Sequence, residues 1–478
     1  MFIKNIWNWL GIAFISLTYT ACTGPALVQK TANTIIPATF STAKDTVSAG
    51  KINWKQYFTD PNLTALIDSA LRNNQELNIT RQEIEISRNE IRARKGEYLP
   101  SVELRAGGGV EKAGRYTNIG AMEATTEIEP GKEMPEPVPD IFVGAFANWE
   151  LDIWHKLRNA KKAAVNRYLA SVEGRNFIVT HLIAEIANAY YELLALDNQL
   201  TIVKQNTGIQ TNALEVVRYQ KQAGKVNELA VRRFEAEVLK TQSLQYDIQQ
   251  RIVEMENRIN FLVGRYPQPI VRNAEAFTNL VPVTMQAGAP AQLLENRPDI
   301  KQAELELAAA KLDVNVAKAN FYPSLGISAG IGLRALNPGY FVKTPESLIY
   351  SLAGELAAPL INRNAIKAAY SSANAKQIQA VYNYEQTVLK AYLEVVNQQN
   401  RIVNLEKSYE LKARQVQALT ESITISNDLF RSARADYMEV LLTQRDALES
   451  KFELIETKMQ QLNASVNMYQ ALGGGWNQ

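Results

Sequence analysis

Apolar positions recur every seven residues along 381–430: Val381, Val388, Val395, Ile402, Tyr409, Val416, Ile423 and Phe430. The series three residues on, Tyr384, Ala391, Gln398, Leu405, Lys412, Leu419 and Ser426, is mixed in character. A largely β-branched seam sustained over this many heptads predicts coiled-coil packing of long helices, not a compact bundle. Proline placement agrees, because a proline in a helix interior costs about 3 kcal/mol. None occurs from Asp140 to Tyr266 or from Leu360 to Gln478, and glycine is also missing from Ile361 until Gly473. A helix over 363–429 would be about 100 Å long at 1.5 Å per residue. It should fold back at 432–437 and its earlier counterpart at 223–228, where Gly224 is the natural tip, giving two antiparallel hairpins.

A different period holds before each long helix. Ile141, Val143, Ala145, Ala147, Trp149 and Leu151 share one parity, and Phe142, Gly144, Phe146, Asn148 and Glu150 share the other. One face suits lipid and the other becomes polar, as in an outer-membrane strand of about ten residues; a sandwich strand would look similar. Strands are expected at 101–112, 141–153, 324–334 and 348–360. Each pair follows a shorter helix (63–96 and 291–320) that Pro100 or Pro323 brings to an end. The loops at 111–140 and 335–346 contain Pro, Gly and charges and read as exposed. The fold class is thus mainly α with transmembrane β. Four strands cannot close a barrel, since the smallest usual barrels have about eight, so the chain must oligomerise. Three copies would supply twelve strands and six hairpins.

The two halves are copies of one unit. Tyr98-Leu99-Pro100-Ser101 is echoed by Phe321-Tyr322-Pro323-Ser324 at an offset of 223, and Asn73-Asn74-Gln75 faces Asn296-Arg297-Pro298 at the same offset. Arg158-Asn159-Ala160 matches Arg363-Asn364-Ala365 at 205, Ala189-Tyr190 matches Ala391-Tyr392 at 202, and Gly224 aligns with Ala433 at 209. The expected organisation is a signal peptide (1–21), an N-terminal linker (22–59), a first repeat (60–266), an inter-repeat segment (267–290), a second repeat (291–472) and a tail (473–478).

Composition narrows the chemistry. Lys and Arg total 51 against 49 Asp and Glu, a net charge of +2, which carries no footprint of a nucleic-acid partner. One cysteine and two histidines in 478 residues leave almost no material for disulfides, a zinc site or a Cys/His nucleophile pair. His155 and His181 stand far apart in the sequence with no cysteine near either. Gly330-Ile331-Gly332-Leu333-Arg334-Ala335 fits a dinucleotide-loop pattern but sits in a strand-like run and opens no helix. No catalytic set, metal site or cofactor site is evident, so the chain reads as a non-enzyme. Lys4 and the apolar stretch 7–19 form a signal peptide too short to span a membrane. The lone Cys22 follows Leu17-Thr18-Tyr19-Thr20-Ala21, similar to a bacterial lipobox although Tyr19 departs from it. Cys22 is then a lipidated anchor; the alternative is a plain secretory signal with an incidental cysteine.

Trp54, Phe58, Asp60-Pro61-x-Leu63, Leu66-Ile67, Ala70-Leu71 and Asn74-x-x-Leu77 resemble the opening signature of the TolC-like outer membrane efflux factors. Arg297-Pro298-Asp299-Ile300, Ala303-Glu304 and Ala319-x-Phe321-x-Pro323-Ser324 resemble that family's second-repeat signature, and Cys22 matches its lipoprotein (OprM- and NodT-like) branch. The resemblance implies a homotrimeric channel-tunnel: a 12-stranded barrel in the outer membrane, continued by a periplasmic α-helical barrel. It further implies docking to a periplasmic adaptor and a proton-driven inner-membrane pump of the RND type, with no cofactor beyond lipid on Cys22. Carried onto this chain, the family's periplasmic gate falls on Arg434, Asp436 and Tyr437. The hairpin tips that meet the adaptor fall on Gly224 and Ala433, the latter a departure from the family's frequent glycine. Export of small molecules, exit of proteins through a type I secretion system, and a periplasmic coiled-coil scaffold are the readings open at this point.

Overall fold

The computed structural model describes residues 27–28, 30–33, 35–37, 40, 52–283, 288–432 and 434–476; Cys22 and Ala433 lie outside them. In chain order the elements are α1 (Trp54–Tyr57), α2 (Pro61–Asn73), α3 (Gln75–Tyr98), β1 (Ser101–Glu111), α4 (Asn118–Glu123), β2 (Glu127–Glu129), β3 (Lys132–Glu133) and β4 (Val138–Leu151). There follow α5 (Lys156–Gln222), α6 (Glu228–Val263), α7 (Ala291–Asn296), α8 (Pro298–Ala319), β5 (Ser324–Ala335), α9 (Pro338–Phe341), β6 (Leu348–Ala357), α10 (Asn364–Arg431) and α11 (Tyr437–Ala471). Two compact units each take segments from both sequence repeats. One holds Glu85–Leu169 and Leu305–Tyr382, the other Ala170–Glu304 and Asn383–Gln478 with the described residues of Ala32–Ile84.

The first unit contains an antiparallel four-stranded sheet in the order β1-β4-β5-β6. Val102, Ala147, Ala329 and Leu352 form one cross-strand row, and Leu104, Ala145, Ile331 and Tyr350 the next row on the same face. Both hairpin loops leave one end of the sheet, and the helices join at the other. Three strands end earlier than the sequence suggests, β1 by a single residue, at Glu111. β4 stops at Leu151 instead of 153 because the Asp152 carboxylate accepts the backbone N–H groups of Leu157 and Arg158 at 2.9 Å, which turns the chain into α5. β6 stops at Ala357 instead of 360, before Pro359, which has no N–H to give a ladder. The 111–140 loop is more ordered than its composition implied, with α4 and the β2–β3 ribbon inside it. Gly330 and Gly332 stand in β5, in a strand and not in a phosphate loop.

The second unit is helical. Along α10, which runs through both units, heptad positions from Val381 to Phe430 are all buried or half-buried, as are those of the mixed series. The long helices end where expected, at Gln222 and Arg431, and their partners start at Glu228 and Tyr437. The shorter helices are each broken once, where the sequence pattern predicts a continuous span. The span 63–96 breaks at Asn74, whose side chain accepts from the Leu77 N–H at 3.0 Å and donates to the Leu262 carbonyl at 2.8 Å. The span 291–320 breaks at Arg297, which Pro298 forces out of helical geometry. The core of this unit joins Trp54, Leu63, Ile67, Ile183, Tyr190, Leu193 and Tyr469, all nearly inaccessible. Among the described residues no helix is long and apolar enough to cross a membrane.

Candidate functional site: the sheet faces and the hairpin ends

Strand parity and register give the sheet two chemically distinct faces. One carries Val102, Leu104, Val110, Ile141, Val143, Ala145, Ala147, Ile327, Ile331, Leu333, Tyr350, Leu352 and Leu356, and no charge. Leu104, Tyr350 and Leu352 are each about 80% exposed on it (83%, 82% and 79%), a density of bare apolar surface that water would not tolerate and lipid would. Trp149 and Trp154 mark the helix end, donating to the carbonyls of Tyr98 (3.1 Å) and Pro323 (2.7 Å), and Trp154 stacks on Tyr322 at 4.8 Å. Aromatic residues in this position anchor a strand at the membrane–water boundary.

The other face is polar. Arg334 binds Asp140 through two hydrogen bonds of 2.7 and 2.8 Å, Arg105 pairs with Glu103 at 3.0 Å, and Lys156 reaches Glu150 at 2.8 Å. Glu150, Gly326 and Glu355 share one row, and Glu355 has no ion-pair partner among the described residues. Beyond the sheet, Lys343 ties the β5–β6 loop to Glu129 of the β1–β4 loop at 2.7 Å, and Lys132 adds a second bond of 2.7 Å. These bonds hold the Glu129 carboxyl down at about 2.

At the first hairpin end, Gly224 takes φ +70, the Lys225 N–H bonds the Gln220 carbonyl at 2.9 Å, and Asn227 caps α6 through the Ala230 N–H at 3.1 Å. The second end repeats the closure, with the Arg434 N–H bonding the Leu429 carbonyl at 2.8 Å, but Asp436 at the start of α11 makes no capping bond. Arg434 and Asp436 are exposed and enter no ion pair among the described residues. Tyr437 is half-buried against a cluster built from Val217, Phe234 and Val440, with Phe430 alongside it. Glu228, near Gly224, is held ionised by Lys221, which lowers its pKa.

The sequence offsets also locate a pair of fastenings not singled out as functional. Gly264 and Gly473 follow α6 and α11 with φ of +76 and +81, each pressed on a carbonyl, that of Asn73 or of Asn296. Beside them the Asn74 side chain donates to the Leu262 carbonyl, and Arg297 donates to the Ala471 carbonyl at 2.9 Å. Arg297 is also bound by Asp299 and Glu394, each at 2.7 Å. Burial works against its charge, and these two carboxylates outweigh burial and raise its pKa. The duplicated motif was the available signal, since Asn74 and Arg297 are aligned in it.

A free-edged sheet with a lipid-compatible and a polar face, followed by long helical hairpins, defines a membrane channel subunit that spans with strands. The sequence model of the outer membrane efflux protein family matches residues 66–265 and 289–474, and the chain belongs to that family. It is 26% identical over 423 residues to the pyoverdine export outer membrane protein OpmQ of Pseudomonas aeruginosa, covering 88% of this chain and 87% of that protein. It is 25% identical over 448 residues to the probable outer membrane lipoprotein SilC of Salmonella typhimurium, covering 92% and 93%. The fold is similar to that of the open-state MtrE outer membrane channel of Neisseria gonorrhoeae, with a TM-score of 0.81 at 22% identity, covering 95% of this chain and 99% of that one. The OprN outer-membrane channel gives 0.82 at 24%, covering 96% and 100%. The protein is therefore a TolC-type exit duct of the outer membrane within an efflux pump, with no enzymatic role of its own.

Proposed function

We propose that three copies of this chain close a 12-stranded barrel and that the duct they form carries small molecules, delivered by a periplasmic adaptor and an RND-type inner-membrane pump, to the exterior. The observation that carries this is the sheet itself. β1 and β6 are its free edges and run in opposite directions, so β6 of one copy meets β1 of the next as an antiparallel pair and any number of copies closes without a parallel mismatch. Two copies would give eight strands, a bore that side chains nearly fill; three give twelve and leave a lumen. The relatives named for pyoverdine export and for solvent efflux support small molecules as cargo. The mass of the detergent-extracted complex, measured by native mass spectrometry, should be three times the processed chain mass; a monomer or dimer refutes the barrel.

Cys22 serves as the lipid anchor in this reading, in keeping with the lipoprotein name of one relative. Palmitate labelling should disappear in Cys22→Ser while the protein is still exported. Arg434 and Asp436 act as the gate, pairing with neighbouring copies through charge-assisted bonds, with Tyr437 bracing them and Gly224 and Ala433 at the tips that meet the adaptor. Because exposed pairs contribute only about 0–1 kcal/mol each, such a gate opens under modest force. Single-channel conductance of an Arg434→Ala/Asp436→Ala variant should rise several-fold; an unchanged conductance removes these residues from the gate.

A further inference from the structure

Phe142 and Phe146 are the two large aromatic residues on the polar face of the sheet, and neither stands upright from it. A methyl group built on Gly107, directly opposite Phe142 on β1, would lie 2.6 Å from the ring Cε1 and 2.9 Å from Cζ. One built on Gly330, opposite Phe146 on β5, would lie 2.8 Å from Cδ1 and 3.0 Å from Cε1. Each ring therefore reclines across the neighbouring strand, about 4.8 Å away, over a backbone that only glycine leaves bare. Gly144 and Gly332 face each other across β4 and β5 in the adjoining row, and Gly144 would also crowd the Phe146 ring at 3.2 Å. The Arg105 guanidinium lies 5.6 Å from the Phe146 ring centroid on the same face.

We infer that Gly107 and Gly330 set the bore of the barrel: they seat Phe142 and Phe146 flat against the wall, so that solutes pass over ring faces and not between projecting rings. An alanine at either glycine cannot share the space with the ring. The wall strands are held by their ladders, so the ring is what moves, and its free direction is inward. These positions are thereby size-determining for whatever the duct exports. The inference rests on the closed-barrel reading, in which the polar face lines the lumen.

The test uses the full-length protein in intact cells, with a reporter Ser328→Cys two residues before Gly330 on the same face and nearer the helix end. Maleimides of graded polymer size are added from outside. With Gly330→Ala the labelling rate of the largest reagent admitted by the parent should fall several-fold while that of the smallest is unchanged, and adding Phe146→Ala should restore it. Gly107→Ala acting on Phe142 should behave alike and stands in if Gly330→Ala does not reach the membrane. Equal size cut-offs in parent and both alanine variants overturn the inference. A reporter that no reagent reaches in the parent, while Leu352→Cys on the apolar face is labelled, overturns the closed-barrel reading instead.

Discussion

Single residues fix where the helices stop. Gly264 and Gly473 hold positive φ with a carbonyl where a side chain would begin, at 2.4 and 2.6 Å from the ideal methyl position, whereas Gly224 has positive φ and open space around it. Left-handed backbone costs an L-residue roughly 1–2 kcal/mol, and the carbonyl clash adds to that. Gly264→Ala and Gly473→Ala should each cost about 2–4 kcal/mol, against about 1 kcal/mol for Gly224→Ala. Thermal melting of the detergent-solubilised protein checks this, and equal losses at all three sites would contradict it. Of these three, Gly224 and Gly473 announce themselves in the sequence as turn and stop. Gly264 does not, because its constraint is the Asn73 carbonyl, nearly two hundred residues earlier in the chain.

Elements were legible to the extent that a period was. The heptad seam gave the long hairpins to within two residues because each turn repeats the same burial, and parity gave the strands because lipid and lumen demand opposite chemistry. The helix breaks were harder. Asn74 caps the second helix locally, its side chain accepting from the Leu77 N–H, but the bond that fixes the side chain there goes to the Leu262 carbonyl, which only the tertiary fold supplies. The small elements of the 111–140 loop have no period at all; they are held by side-chain ties such as that of Glu129 to Lys343. The faces of the sheet make a direct prediction. Leu104→Arg and Ile331→Arg should each oppose insertion by about 2–4 kcal/mol and empty the outer-membrane fraction, while Ser328→Arg on the polar face should leave protein levels in that fraction near those of the parent. The loop tie makes another. The Glu129 carboxyl is lowered from 4.5 to about 2 by hydrogen bonds from Lys132 and Lys343. A carboxylate depressed by folding contributes fully above its ordinary pKa and loses that contribution as pH falls through the folded one. Amide exchange over 127–133, corrected for intrinsic rate, should accelerate as pH drops from about 4.5 to about 2, the window those two values define. In Glu129→Gln it should already be fast at the upper end.

At the scale of the whole molecule, what the strands turn toward the lumen of the proposed barrel is a charged wall. Glu103, Glu111, Asp140, Glu150 and Glu355 face Arg105 and Arg334 on one side of the sheet, so carboxylates outnumber guanidiniums in every copy. A wall of one net sign concentrates counter-ions, and the barrel should prefer cations. The reversal potential across a planar bilayer under a potassium chloride gradient should show that preference, and Glu355→Gln, which removes a carboxylate with no ion-pair partner among the described residues, should reduce it. Anion preference in the parent would mean that another part of the path sets the selectivity. The two fastenings carry a different lesson. They sit at matching places in the duplicated unit, yet one is a neutral amide bond at Asn74 and the other a charged clamp at Arg297. A ring of six identical hairpins would be bound to change all six joints at once. In the trimer proposed above, a ring of doubled chains could alter every second joint alone, so mutation could make alternate grooves unlike and give a partner two kinds of seat where strict sixfold symmetry would offer one.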